Sequence, residues 1–185
     1  VQANYSQYSS RYDKYLEGTV LPAFDPQLSG GALYDINIYN LNLIIGLFGM
    51  PNSLIYQAHK GFNGIDTSGV VLMSYPEFQA LAIGAKDSGS PSTCLIQGEK
   101  GWLKIETAPN QLEKITCQIR GEDNIQEYAL NQYPHRLSHE FAAFAAMLAN
   151  KDFAARDLYL NISLQVAEAA EKARKQAGIS FPADQ

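Results

Sequence analysis

The chain has 185 residues, 46% hydrophobic and 18% charged, which is enough apolar material for one sizeable core and excludes a disordered or low-complexity segment. A formal net charge of −5 without any cluster of Lys or Arg argues against nucleic acid or an anionic membrane as partner, since both need a basic face to replace counterions. The longest apolar run, Leu41 to Met50, is broken by Asn42 and falls far short of the about 20 residues that cross a bilayer, so no membrane contact is expected.

The alternation over Gln2 to Tyr8 predicts a first strand, followed by a long polar connection rich in Ser, Tyr and Pro. A helix is predicted over 31–48, capped near Ser29 and stopped by Gly49 with Pro51 beyond. Strand-like runs follow at 53–62, 67–75, 77–86, 92–97, 101–107, 112–120 and 125–130, separated by Gly, Pro, Asp and Asn turns. Seven short strands in succession imply a largely antiparallel sheet. Two helices, 136–149 and 153–177, close the chain, with Phe141, Phe144, Met147, Leu148, Leu158, Ile162, Leu164 and Val166 as the stripes expected to cover a sheet face. The order predicts an α+β fold: an open sheet with helices on one face. In the run Val70 to Tyr75 both faces are mainly apolar, so the uncovered face is expected to pair between subunits.

The predicted helix 31–48 is apolar on most sides yet carries one acid, Asp35, and one phenol, Tyr39, four residues apart and so on one helix face. A carboxylate beside a phenol can bind and polarise a hydroxyl or carbonyl, which suits proton transfer to a sugar-like substrate. The competing reading has Asp35 complementing the helix dipole in the first turns and Tyr39 simply burying its ring. Arg11 in the long loop is a candidate to hold a substrate oxygen, against a rival in which it pairs with Asp13. Lys86, at the end of the run Ala80 to Ala85, can approach the acid and phenol from a strand end, against a rival as surface charge beside Asp87. His59, His135 and His139 are scattered, and Cys94 and Cys117 have no ligand-spaced partners, so neither a metal site nor a redox pair is expected. Cysteines of this kind read as small buried hydrophobes in a reducing cytoplasm.

The segment Gly30-Gly31-Ala32-Leu33-Tyr34-Asp35-Ile36-Asn37-Ile38-Tyr39 resembles the signature helix of the Gfo/Idh/MocA oxidoreductases, Gly-Gly-Gly-x-Leu-x-Asp-x-Gly-x-His, in the form in which Tyr replaces His. Gly64-Ile65-Asp66-Thr67-Ser68-Gly69, the following strand pair through Ala85-Lys86-Asp87, and Ile96-Gln97-Gly98-Glu99-Lys100-Gly101-Trp102-Leu103 resemble the family's carboxy-terminal domain in order and spacing, so that almost the whole chain is covered. Asn37 departs from the pattern, where the family usually has Gly.

The resemblance implies a carboxy-terminal substrate-binding and oligomerisation domain over 1–185, with the amino-terminal dinucleotide-binding (Rossmann) domain and its catalytic Lys outside this chain. It implies hydride transfer between NAD or NADP and a sugar, polyol or dihydrodiol, with Asp35 and Tyr39 in catalysis, Arg11 and Lys86 at the substrate, and a homodimer or homotetramer formed through the sheet. The fragment alone is expected to bind no nucleotide and to be inactive, because no Gly-x-Gly-x-x-Gly turn follows an apolar strand. The alternative is a non-catalytic module of the same fold that binds a sugar-like ligand or serves dimerisation.

Overall fold

A computed structural model of the chain describes residues 1–184. Eight strands form one sheet in the order β2-β3-β4-β1-β5-β6-β7-β8. They are β1 (Gln2–Ser6), β2 (Ser53–Lys60), β3 (Asp66–Ser74), β4 (Gln79–Ala85), β5 (Thr93–Gly98), β6 (Gly101–Ile105), β7 (Ile115–Ile119) and β8 (Gln126–Tyr128). Among the described residues β1 lies parallel to β4 and the other neighbours are antiparallel, as the succession of short strands predicts. The chain's first strand therefore fills the centre of the sheet, between two antiparallel meanders.

The helical layer lies over β1 to β4. It consists of α2 (Ile38–Phe48), the turn that precedes it, and the second half of α4 (Phe153–Gln176). Leu33, Leu41, Ile44 and Ile45 from the first helix meet Ala3, Tyr56, Val71, Met73, Ala80 and Ala82 from the strands and Val166, Ala169, Ala170 and Ala173 from α4. The alanines let α4 approach its neighbours closely. Along β3 the burial alternates with the pleat: Val71 and Met73 face the helices, while Val70 and Leu72 stay half-buried on the uncovered face.

Two expectations are corrected. The stretch 31–48 is not one α-helix: Leu33–Asn37 is a π turn, and α2 starts at Ile38. The long connection contains α1 (Tyr12–Leu16) and the 3₁₀ turns Pro22–Phe24 and Pro26–Leu28, gathered around Tyr12, Tyr15 and Phe24. The apolar stripe of the last helices does not cover the sheet as a whole: α3 (Arg136–Asn150) buries no residue, and Phe141, Phe144, Leu148, Leu158 and Leu164 are exposed. The face they were expected to cover is already filled by the first helix and by α4 from Ile162 onward.

Asn37 and Asn40, both fully buried, donate to the carbonyls of Ala82 (3.0 Å) and Ile83 (2.8 Å) on β4, so the departure at Asn37 is absorbed as a helix-to-sheet tie. Cys94 and Cys117 are free thiols on β5 and β7, separated by β6. No helix among the described residues is long and apolar enough to cross a membrane.

Candidate active site

The site is built where four segments meet: the loop after β1, the 3₁₀ turns, the π turn and the end of β4. Gly30 and Gly31 thread the chain under the 3₁₀ turns, with Gly31 N–H donating to Ala23 O at 3.1 Å. Gly31 adopts φ +106°, a conformation that side chains beyond glycine rarely adopt. The π turn follows at once and lifts Asp35 out of the regular helix. Single π turns inside helices concentrate at functional sites because the extra residue re-aims a side chain.

Lys86 comes from just past β4. Its backbone N–H donates to Thr67 O at 2.8 Å, and its side chain is turned inward to 3% exposure, contrary to a surface charge beside Asp87. The ammonium pairs with Asp35 Oδ2, donates to Ala23 O at 3.2 Å and lies 4.8 Å from the centroid of the Phe24 ring. Asp87 points elsewhere: it accepts from Thr67 and Ser68 hydroxyls at 2.7 Å each, which hold its carboxyl below the usual range against the opposing pull of partial burial.

Two hollows open on this pair. One, of about 370 Å³, is lined by Arg11, Ala23, Ser29, Gly30, Tyr34 and Asp35, among others. The other, of about 200 Å³, is lined by Gln7 to Arg11, Asp35, Ile36 and Lys86. Asp35 and Arg11 belong to both. Arg11 is exposed and makes no ion pair among the described residues; the hydroxyl of Tyr8 occupies Asp13 at 2.6 Å instead. A hydroxyl-bearing ligand in either hollow would find a carboxylate acceptor and a guanidinium donor, and in the smaller one also the buried ammonium of Lys86.

The structure thus brings Asp35, Lys86 and Arg11 together. Tyr39 stands apart from them: it lines neither hollow, and its ring lies 5.7 Å from that of Tyr5 on β1. The i, i+4 relation expected of an α-helix is altered by the π turn that carries Asp35. The phenol is 37% exposed, and its hydroxyl has no hydrogen-bond partner among the described residues. Sequence reasoning missed Tyr34, which lines the larger hollow and takes a hydrogen bond from buried Arg174 at 3.3 Å, and Asp66, a carboxylate beneath the π turn. Asp66 lay within a quoted motif, but nothing in the spacing marked it as buried. No group of three or more His, Cys, Asp or Glu among the described residues could hold a metal ion.

An open eight-stranded sheet layered with helices, with a polar site at the start of the central helix, defines an α+β domain. The model for the GFO/IDH/MocA C-terminal domain matches residues 2–104, and the chain belongs to this family. It is 35% identical over 183 residues to scyllo-inositol 2-dehydrogenase (NADP(+)) IolU of Bacillus subtilis (strain 168), covering 99% of this chain and 55% of that protein. It is 34% identical over 181 residues to the uncharacterized oxidoreductase YgjR of Escherichia coli (strain K12), covering 98% and 54%. The chain therefore spans about half the length of the curated relatives it matches. The fold is also that of KijD10, a 3-ketoreductase from Actinomadura kijaniata solved with NADP and TDP-benzene, at a TM-score of 0.70 and 15% identity over 95% of this chain and 52% of the other.

Proposed function

We propose that this chain is the substrate-binding domain of an NAD(P)-dependent oxidoreductase that acts on a sugar or polyol, and that a dinucleotide-binding domain preceding it in the intact protein carries the cofactor. The observation that carries the reading is the pairing of Asp35 with buried Lys86 at the junction of two polar hollows. IolU, named as an NADP-dependent inositol dehydrogenase, supports the same chemistry.

The residues of this chain do not fit a dinucleotide. Among the described residues no apolar strand runs through a glycine-rich turn into a helix: β1 leads through Gln7 to Arg11 into the five-residue α1, and the other strands lead to turns or further strands until β8. The nucleotide supplies hydride chemistry from outside this chain. The chain's own residues bind and orient the substrate: Asp35 accepts a substrate hydroxyl, Arg11 donates to a second oxygen, and Lys86 holds the Asp35 carboxylate in place against the site floor. Tyr39 lines neither hollow, and its role as donor or proton relay to the reacting oxygen rests on the Tyr form of the signature helix alone. The oligomer is assigned to the uncovered sheet face, where Val70 and Leu72 stand half-buried.

The test is a fluorescence titration of NADH and NADPH against this chain and against the full-length gene product, followed by a screen of polyols and aldoses. Binding by the full-length protein alone, with hydride transfer to or from a polyol, is the expected result. In that protein Tyr39→Phe lowers kcat by about 10²-fold or more while nucleotide affinity stays unchanged. Equal activity of the variant removes Tyr39 from the chemistry, and failure of both forms to bind nucleotide favours the non-catalytic module.

A further inference from the structure

We propose that Asp66 is a positioning residue of this site: it fixes the amino end of the π turn and so sets where Asp35 stands against Lys86. Asp66 opens β3, is 2% exposed and forms no ion pair among the described residues. Its Oδ2 accepts the Leu33 N–H at 2.6 Å and the Tyr56 hydroxyl at 2.7 Å. Leu33 is the first residue of the π turn, and Asp35 lies two residues on.

The surrounding fold is shaped to admit this carboxylate. A Cβ on Gly31 would fall 2.2 Å from Asp66 Oδ1, and one on Gly69 would fall 2.4 Å from the Tyr56 ring on its way to Asp66. Two glycines and a buried phenol are thus committed to one acid. The usual device for the start of a helix is a Ser, Thr, Asp or Asn at the cap itself. Here the cap position is Ala32, with no side chain to offer, and the acceptor arrives from a distant strand.

The same short segment also fixes the other half of the pair. Thr67, next to Asp66, accepts the Lys86 backbone N–H. Residues 66 and 67 therefore tie down both the turn that carries the acid and the strand end that carries the ammonium. Burial pushes the Asp66 carboxyl upward, opposed by its two hydrogen bonds and by the nearby Lys86 charge. A costly buried acid beside a cleft is the pattern of a functional site.

For its effect on turnover the inference rests on the oxidoreductase reading; for the geometry of the pair it does not. The experiment uses the full-length gene product and reads two quantities. The first is solvent exchange of the Lys86 side-chain ammonium protons, followed by nitrogen-detected NMR without any substrate. The second is kcat with the polyol found in the screen. Asp66→Asn is expected to speed Lys86 exchange about 10-fold and to lower kcat about 10- to 100-fold, with KM and nucleotide affinity within about twofold, as expected of misplacement rather than lost binding. A folded Asp66→Asn protein whose Lys86 exchange matches wild type overturns the proposal, even if its melting temperature falls. If that variant does not fold, Tyr56→Phe keeps the acid and removes one of its hydrogen bonds. Faster Lys86 exchange in Tyr56→Phe supports the role, and unchanged exchange overturns it. A wild-type protein with no hydride-transfer activity would strike the functional reading alone, and the exchange measurement would still decide the role of Asp66.

Discussion

Lys86 and Asp35 form an asymmetric ion pair: the side chain of the base is 3% exposed and that of the acid 54%. Removing one partner is therefore not equivalent to removing the other. Asp35→Asn leaves a buried ammonium with the Ala23 carbonyl and the Phe24 ring as its direct contacts, whereas Lys86→Met leaves a carboxylate that water already reaches. Breaking a buried pair costs about 3–5 kcal/mol, and discounting for the exposure of Asp35 leaves about 2 kcal/mol for Asp35→Asn and less than about 1 kcal/mol for Lys86→Met. Urea midpoints of the two variants check the order. Equal losses would mean that the ammonium is hydrated in solution.

Gly31 faces two constraints together, a φ of +106° and the carboxylate of Asp66 in the space of its missing Cβ. Gly31→Ala is accordingly expected to cost about 3 kcal/mol or more, combining a disfavoured backbone region with overpacking. The loss should be partly relieved in the double variant Gly31→Ala with Asp66→Ser, which shortens the opposing side chain. Additive losses in the double-mutant cycle would place the strain in the backbone alone.

Two acids give the stability opposite slopes with pH. Asp184 accepts from Arg174 Nη2 at 2.6 Å and from the Phe181 N–H at 2.8 Å, which holds its carboxyl far below the usual range. The native state then binds fewer protons than the unfolded chain below the ordinary value of about 3.9, so the clasp contributes fully above that pH and is lost as pH falls. For Asp66 the sign reverses. Burial raises its carboxyl, the native state keeps the proton longer, and stability declines as pH rises from about 4 through the raised value. Asp184→Asn should therefore flatten the acid limb of a plot of urea midpoint against pH, and Asp66→Asn should flatten the decline on its upper side. A limb unaltered by its variant assigns that slope to other groups.

Much of this architecture was legible because it depends on local pattern. Alternation and turn residues located every strand, and the resemblance carried by the glycine pair and its following acid singled out Asp35, which the structure pairs with Lys86. The parallel docking of β1 beside β4 was not legible, since a short strand carries no mark of its partner. The π turn was missed for a related reason: Leu33 to Asn37 has an ordinary helical composition, and its extra residue is imposed by Gly31, Asp66 and β4 from outside. Lys86 could be placed at a strand end, but its inward turn depends on Phe24 and Ala23, some sixty residues earlier in the chain. Tyr39 was tied to Asp35 by a helical spacing that the π turn does not keep.

The last two helices show the opposite error, where a strong amphipathic pattern suggested burial that the fold does not supply. Phe141 is 68% exposed and Phe144 57%, whereas the small Ala169, Ala170 and Ala173 of α4 are fully buried. Stability should follow burial and ignore hydrophobicity. Phe141→Ser and Phe144→Ser are expected to change the unfolding free energy by no more than about 0.5 kcal/mol, the range of exposed positions. Ala170→Leu, which forces extra methylenes between α4 and its neighbours, should cost about 1–3 kcal/mol. Denaturation of the isolated chain at two protein concentrations makes the comparison. A large loss for either Phe variant that grows with concentration would show that these rings are buried by self-association, and a large loss independent of concentration would show that α3 packs onto its own domain.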